Sequence, residues 1–236
     1  MLYIVPTPIG NLQDMTLRAL DILKSADVIF CEDTRRTQGL LSHFVLSKPT
    51  LRYNENDDRS VSRCVEILQQ GKTAALVSDC GTPCISDPGW KLVRQALKAG
   101  VKVSSLPGPS AVACALAGAG ITGGAFTFLG FLPRKPGKAA KLISQAYALG
   151  VPVVLYESPY RVVKMLGLIS QTLGEGTPVI VARELSKVYE EWLRGSADEV
   201  GRTLAARAKV QGEFVLIIDR PCTEQKEENL DEDPHF

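Results

Sequence analysis

Short β-branched and aliphatic runs alternate with stretches of helical period along this chain, and that alternation restricts its fold more than any other feature. Runs at 2–5 (LYIV), 27–31 (DVIFC), 73–78 (TAALVS) and 101–106 (VKVSSL) predict strands. Helix-period stretches at 16–26, 35–45, 60–71 and 90–100 lie between or beside them. In the last of these, Leu92, Val93, Ala96 and Leu97 recur on one helical face. Gly71 and Gly100 follow their helices, where a left-handed cap residue belongs. Strands joined through helices pair in parallel and are covered on both faces, so the chain reads as an α/β protein.

The glycine-rich stretch GAGITGGA (118–125) interrupts the pattern and predicts a domain boundary, with an N-terminal α/β domain over 1–118. A C-terminal α/β domain over 119–221 follows, with strands expected at 126–131, 151–157, 178–184 and 213–219. Helices are expected near 138–149, 160–173 and 197–209, with a further strand near Glu190–Arg194. A chain of 236 residues suits two domains of about 120. The end, 222–236, holds one Lys against six Asp and Glu and is expected to be a disordered acidic tail. Without it Lys and Arg outnumber Asp and Glu by 26 to 20, a balance that suits a polyanionic partner. No apolar run reaches the roughly 18 residues of a membrane span, and Met1–Val5 lacks the basic start of a signal peptide, so the expected location is the cytoplasm. The six cysteines are scattered and the two histidines, His43 and His235, lie far from Cys80 and Cys84. The cysteines therefore read as small core residues, with no metal expected.

Open α/β sheets bind ligands beyond the carboxyl ends of their strands. There the expected strands end in PTPIGN (6–11), CEDTRRT (31–37), SDCGTPCISDPG (78–89) and PGPSA (107–111). Any one of these is ordinary turn chemistry. Four together point to one shared ligand. A Walker-type G-x-x-x-x-G-K-[ST] and a dinucleotide G-x-G-x-x-G are both absent. Gly10 would let backbone approach a ligand closely. Pro83 and Pro88, with Gly81 and Gly89, would stiffen the third loop. The residues themselves lead to a nucleoside-like ligand and away from a nucleoside triphosphate.

The motifs PTPIGNLQDMTLRAL, ADVIFCEDTRRT, SDCGTPCISDPG, PGPSA, GFLPRK, YESPYR and VARELSK follow in order. Together they resemble the tetrapyrrole-methylase superfamily (class III methyltransferases), and within it the ribosomal RNA small subunit methyltransferase I family, over about residues 1–219. The resemblance implies two α/β domains, a mostly parallel N-terminal sheet and a mixed C-terminal one, with S-adenosylmethionine in the cleft between them. It implies a homodimer and methylation of a ribose 2′-hydroxyl on a cytidine of small-subunit (16S) rRNA in the 30S particle. By motif, Ile9 and Gly10, then Asp79, Gly81, Thr82, Pro83 and Ile85, then Ser110 and Ala111 would contact the cofactor. Leu132 and the 181–184 stretch would add contacts from the second domain. Arg35, Arg36, Arg134, Tyr160 and Arg161 would bind substrate, with Lys138 and Lys141 nearby.

A 2′-hydroxyl is a weak acid, so a positioned base would help its attack. Glu32, Asp33, Asp79, Glu157 and Glu184 lie in the motifs; Asp33 and Glu157 are the favoured bases, with Lys135 a further catalytic candidate if burial lowered its pKa. Asp33 beside Arg35, and Glu184 beside Arg183, suggest structural ion pairs instead. The chain departs from the family pattern at Tyr53-Asn54-Glu55-Asn56, where the family has His-Glu-His-Asn, and at Tyr160, where it has His. Gln211-Gly212-Glu213 stands in place of Lys-Gly-Glu. Two other readings compete: methylation of a tetrapyrrole or corrin precursor, which the first and third loops disfavour, and a non-catalytic ribosome-binding factor.

Overall fold

The computed structural model describes residues 1–121 and 124–220. The acidic tail and Cys222 lie outside the described residues. The chain forms two compact units. Met1–Ala115 with Glu184–Glu190 make the first; among the described residues, those of 116–183 and 191–220 make the second.

In the first unit, β1 (Leu2–Ile4), β2 (Val28–Cys31), β3 (Thr50–Arg52), β4 (Ala74–Leu76) and β5 (Val103–Ser105) form one sheet in the order β3-β2-β4-β1-β5. Every pairing in it is parallel. Residues alternate between the two faces of such a sheet, and the two cores follow that alternation. Leu2, Ile4, Phe30, Ala74 and Leu76 face α3 (Asp58–Gln69) and α4 (Trp90–Lys98), represented by Val61, Cys64, Leu68, Leu92 and Ala96. Val5, Ile29, Cys31, Ala75 and Val77 face the other way, toward α1 (Leu17–Ser25) and α2 (Thr34–His43), represented by Ala19, Leu23 and Leu41. Side chains start these helices: Thr16 accepts from the Ala19 amide, and Asp57 from the Arg59 amide.

Two elements are illegible in the sequence. β3 is three residues long, only half-buried, and sits at the sheet edge, so no apolar run marks it. α5 (Ala111–Ala119) is built from AVACALAGA, which has no polar stripe to give a helical period. The units part inside α5, between Ala115 and Leu116.

In the second unit, β6 (Thr127–Phe131), β7 (Val153–Glu157), β8 (Pro178–Arg183), β9 (Glu191–Ser196) and β10 (Phe214–Ile218) run in the order β6-β7-β10-β8-β9. β6 and β7 are parallel and the other neighbours antiparallel, a mixed sheet. Helices α6 (Pro136–Tyr147), α7 (Val162–Leu173) and α8 (Ala197–Ala205) bury Ile143, Leu166, Ile169, Val200 and Leu204 against Val153, Leu155, Val181 and Leu216. α8 opens with a capping box: the Ser196 hydroxyl accepts from the Glu199 amide while Glu199 accepts from the Ser196 amide. Among the described residues no helix is long and apolar enough to cross a membrane.

Candidate active site

β4, β1 and β5 are neighbours, so the loops leaving their carboxyl ends emerge side by side. The structure ties those loops together. Thr7 and Gly81 form an isolated antiparallel bridge, with Thr7 N–H donating to the Gly81 carbonyl (2.9 Å) and Gly81 N–H to the Thr7 carbonyl (3.0 Å). The buried Thr7 hydroxyl donates to the Ser78 carbonyl, and the Ser78 hydroxyl to the Gly81 carbonyl. Thr82 reaches the fourth loop, its hydroxyl donating to the Pro109 carbonyl at 2.8 Å. A Cβ on Gly108 would lie 2.7 Å from Cβ of Pro6, so the first and fourth loops touch through a glycine. Gly81, at φ +83°, takes a conformation that favours glycine.

The third loop is also fixed at its far end. Glu55 accepts from the Gly89 amide at 2.7 Å, at the start of α4, and the Lys91 ammonium donates to the Glu55 carbonyl. Gly89 sits at φ +140° with Leu76 and Cys84 packed where a side chain would be. Glu55 belongs to the stretch where the family's histidines are missing. Here it holds a loop, a role the sequence does not announce.

Of the expected cofactor residues, Ile9, Gly10, Asp79, Gly81, Thr82, Pro83, Ile85, Ser110 and Ala111 all fall on these three loops or at the start of α5. Ile9, Gly81 and Pro83 are buried and Ile85 is exposed. Gly10 differs from expectation in one respect. The place of its missing side chain is taken by protein: Lys187 packs there, and a Cβ added to Gly10 would lie 2.9 Å from the Leu185 carbonyl. Leu185 and Lys187 belong to 184–190, the excursion between β8 and β9 that joins the first unit. The Ser186 hydroxyl donates to Asp14, and its amide donates to Glu190. Glu184 (φ +52°) and Ser186 (φ +67°) hold left-handed backbone there, a cost of about 1–3 kcal/mol each.

The expected bases fare differently. Asp33 caps α2, accepting from the Arg35 and Arg36 amides, and those amides hold its carboxyl below its ordinary value. Both amides bond the same oxygen, Oδ1, so Asp33 has a structural use at the helix start. It does not pair with Arg35: the arginine in the ion pair is Arg36, to Asp79 at 3.2 Å. Glu184 pairs with Lys187 (2.9 Å), and Arg183 with Glu191 (3.5 Å). Glu157, at the end of β7, is buried; Oε1 accepts from the Ser158 amide and Oε2 lies 3.3 Å from the Arg161 guanidinium. Lys135 is exposed at the residue before α6 and lacks the burial a lysine base needs. Glu32 stands apart. Half-buried at the end of β2, it is pushed above its ordinary value by desolvation and then by the carboxylates of Asp87, Asp79 and Glu55.

Of the expected substrate residues, Arg35 and Arg36 lie in the first unit, and Arg134, Tyr160 and Arg161 in the second. Beside the Arg36–Asp79 pair is a recess of about 320 Å³, with Thr7, Pro8, Leu12, Leu40 and Asp79 among its walls. His43, at the end of α2, is exposed with its ring edge-on to Phe44. Of the described cysteines, Cys31 and Cys64 are buried, and burial pushes Cys64 up to about 12 and Cys84 up to about 11. Cys114 is exposed, so it is not the core residue its small size suggested.

The family model of tetrapyrrole (corrin/porphyrin) methylases matches residues 1–201. A ribosomal RNA small subunit methyltransferase I from Hydrogenobaculum sp. is 42% identical over 225 residues, 94% of this chain and 96% of the relative. Its namesake from Vibrio cholerae is 46% identical over 221 residues, 92% of this chain and 76% of the relative. Among solved structures, a cobalt precorrin-4 methyltransferase shares the fold with a TM-score of 0.67 at 18% identity, covering 92% of this chain and 93% of its own. The uroporphyrin-III-C-methyltransferase of Thermus thermophilus does so with a TM-score of 0.62 at 16% identity, over 92% of this chain and 93% of its own.

Proposed function

This chain belongs to the tetrapyrrole methylase family, and within it to the ribosomal RNA small subunit methyltransferase I family; from that premise we propose that it transfers a methyl group from S-adenosylmethionine to a cytidine ribose 2′-hydroxyl of 16S rRNA. The 30S subunit is its substrate particle, and it works in the cytoplasm as a homodimer.

The three interlocked loops after β1, β4 and β5 carry this reading. They are rich in Gly, Pro, Ser and Thr, offer polar groups of backbone and hydroxyl type, and contain no Lys or Arg at all. That donor set fits an adenosyl group and a sulfonium cation and does not fit a triphosphate. Ile9, Gly10, Gly81, Thr82, Pro83 and Ala111 would hold the cofactor, with Asp79, Ile85 and Ser110 at their margin. The cofactor supplies an electrophilic methyl group. The chain's own residues supply alignment and a proton acceptor. The bridge between Thr7 and Gly81 and the tie from Thr82 to Pro109 fix the loops beforehand, so little order is lost on binding. The recess beside Arg36 and Asp79 receives the acceptor nucleoside, with Arg35 and Arg36 toward its phosphates.

Glu32 is the base we assign, in place of Asp33, Glu157 and Lys135: it stands just before α2, the helix that lines the recess through Arg36, Thr37 and Leu40. Its carboxylate takes the 2′-hydroxyl proton. A base works best when its pKa lies near the working pH, and the surroundings of Glu32, in the loop after β2, raise it in that direction. Asp79 shapes that environment, and Glu157 positions its loop.

The test uses purified protein, tritiated S-adenosylmethionine and 30S subunits from cells lacking this enzyme. Label confined to one alkali-resistant dinucleotide is the expected result. Binding of the cofactor without transfer to 30S would refute the rRNA assignment, and transfer that survives Glu32→Gln undiminished would refute the base.

A further inference from the structure

β6 and β7 are adjacent and parallel, so the loops that follow them leave the same edge of the second unit's sheet. Arg161 joins those loops. Its guanidinium lies 3.3 Å from Glu157 Oε2 and donates to the Leu132 carbonyl at 3.1 Å. Two further bonds tighten the second loop: the Ser158 amide donates to Glu157 Oε1 and the Arg161 amide to the Ser158 carbonyl. On this braced support Tyr160 stands 90% exposed. A large aromatic side chain held almost wholly in water by a rigid loop offers a ready stacking face.

The charge that these two neighbouring β-α segments bring to the edge is of one sign, with exposed Glu213, just before β10, beside them. From Ala125 to Gly174 the chain carries six Lys or Arg and a single acid, Glu157, which is buried against Arg161. Arg134, Lys135, Lys138, Lys141 and Lys164 are all exposed. Among the described residues none of these five has a carboxylate at ion-pair distance. Arg134 and Lys135 lie in the loop that Arg161 grips, and Lys138 and Lys141 follow three residues apart on α6, on one face.

Resting on the rRNA reading above, we infer that this edge is a platform for single-stranded RNA, on which Tyr160 stacks an unpaired base flanking the target while Arg134, Lys135, Lys138 and Lys141 carry the phosphates. An aromatic stacking face beside a track of cations is the chemistry that holds single strands without reading sequence. Paired RNA keeps its bases stacked on one another, so it would use the cations and ignore the ring.

Two measurements on the full chain test this. The first is anisotropy of a labelled single-stranded 12-mer RNA, and of the same RNA in duplex form, over a range of salt. The second is methyl transfer to 30S. Tyr160→Ala should weaken the single strand about tenfold, Tyr160→Phe less than about twofold, and neither should change duplex binding. Lys138→Glu with Lys141→Glu should weaken both forms and flatten the salt dependence. S-adenosylmethionine affinity should be unchanged in all of them, which also reports folding. Single-strand binding indifferent to Tyr160, or capture by phosphatidylserine vesicles in preference to RNA, overturns the platform. If 30S is methylated normally by Tyr160→Ala, the platform fails and the rRNA reading stands. If the wild type methylates no rRNA yet binds single strands through Tyr160, the opposite holds.

Discussion

Replacing Arg161 by Ala is the most revealing single perturbation of the second unit. The Glu157 side chain is only 1% exposed, and Arg161 is its cation, itself 30% exposed. Removing one partner of a buried pair costs about 3–5 kcal/mol, because a charge is left without compensation. The Ser158 amide still donates to Oε1, and water can enter where the arginine was, so the low end applies, about 3 kcal/mol. For a chain of this size that corresponds to a fall in melting temperature of about 6–12 °C. Glu157→Gln keeps an acceptor for Ser158 and removes the charge, at about 1–2 kcal/mol. The double variant Glu157→Gln/Arg161→Ala should then be no worse than about 2 kcal/mol, a coupling of about 2 kcal/mol. The assay is a thermal or urea melt of wild type, both single variants and the double. If the two single losses merely add, the pair is not the unit that holds this loop, and the rigid support for Tyr160 loses its basis.

Thr82→Val should cost about 1 kcal/mol of stability and weaken S-adenosylmethionine severalfold, because it frees the Pro109 carbonyl and unties the third loop from the fourth; titration calorimetry reads both the affinity and its enthalpy. Gly10→Ala places a methyl against the Leu185 carbonyl and Lys187, so the 184–190 excursion must move; a loss of about 1–3 kcal/mol in a melt is expected, and no loss would show that the excursion yields freely. Glu32→Gln should abolish most methyl transfer while raising stability. A carboxyl raised in the folded state gives stability that is full below its unfolded value and is lost as pH rises through the raised value, so the variant's melting temperature should exceed the wild type's at neutral pH and converge with it in acid.

The β-α alternation made four of the first unit's five strands legible, because a parallel sheet buried on both faces writes continuous apolar runs such as VIFC and AALV. The loop motifs placed the cofactor candidates on three neighbouring strand ends, and the folded chain brings those ends together. What the sequence could not show is how those ends are bonded. Thr7, Ser78 and Thr82 look like turn residues in the sequence, and only the sheet order puts their hydroxyls within reach of carbonyls in other parts of the loops. The base was out of reach for a related reason. Asp33 and Glu32 are adjacent in EDTR, yet one caps α2 and is lowered by its amides, while the other is raised by desolvation and then by the charges of Asp87, Asp79 and Glu55. Nothing local distinguishes them. Arg36 likewise finds Asp79 across a sequence distance that no spacing rule reaches, whereas Arg183 meets Glu191 as its cross-strand neighbour in the β8–β9 pairing.

The crowding around Glu32 has a cost, and that cost bears on function. Stability alone would favour a neutral side chain at the end of β2, since Asp79, Asp87 and Glu55 already bring negative charge to the same strand ends. Glu55 has an evident structural use, holding the Gly89 amide at the start of α4, and Asp79 is matched by Arg36. Asp33 has one too, as the cap of α2. Glu157 answers to Arg161, and Glu184 to Lys187. Each of these carboxylates would be missed by the fold. Among the described residues Glu32 has no cation to pair with and no helix to cap; the fold would be more stable without its charge. A residue that the structure tolerates at a loss, at a strand end of the sheet whose other strand ends hold the cofactor candidates, is where a cost in stability is expected to serve chemistry. If Glu32→Gln proved both less stable and fully active, that reasoning would be reversed, and the proton would have to leave by way of solvent.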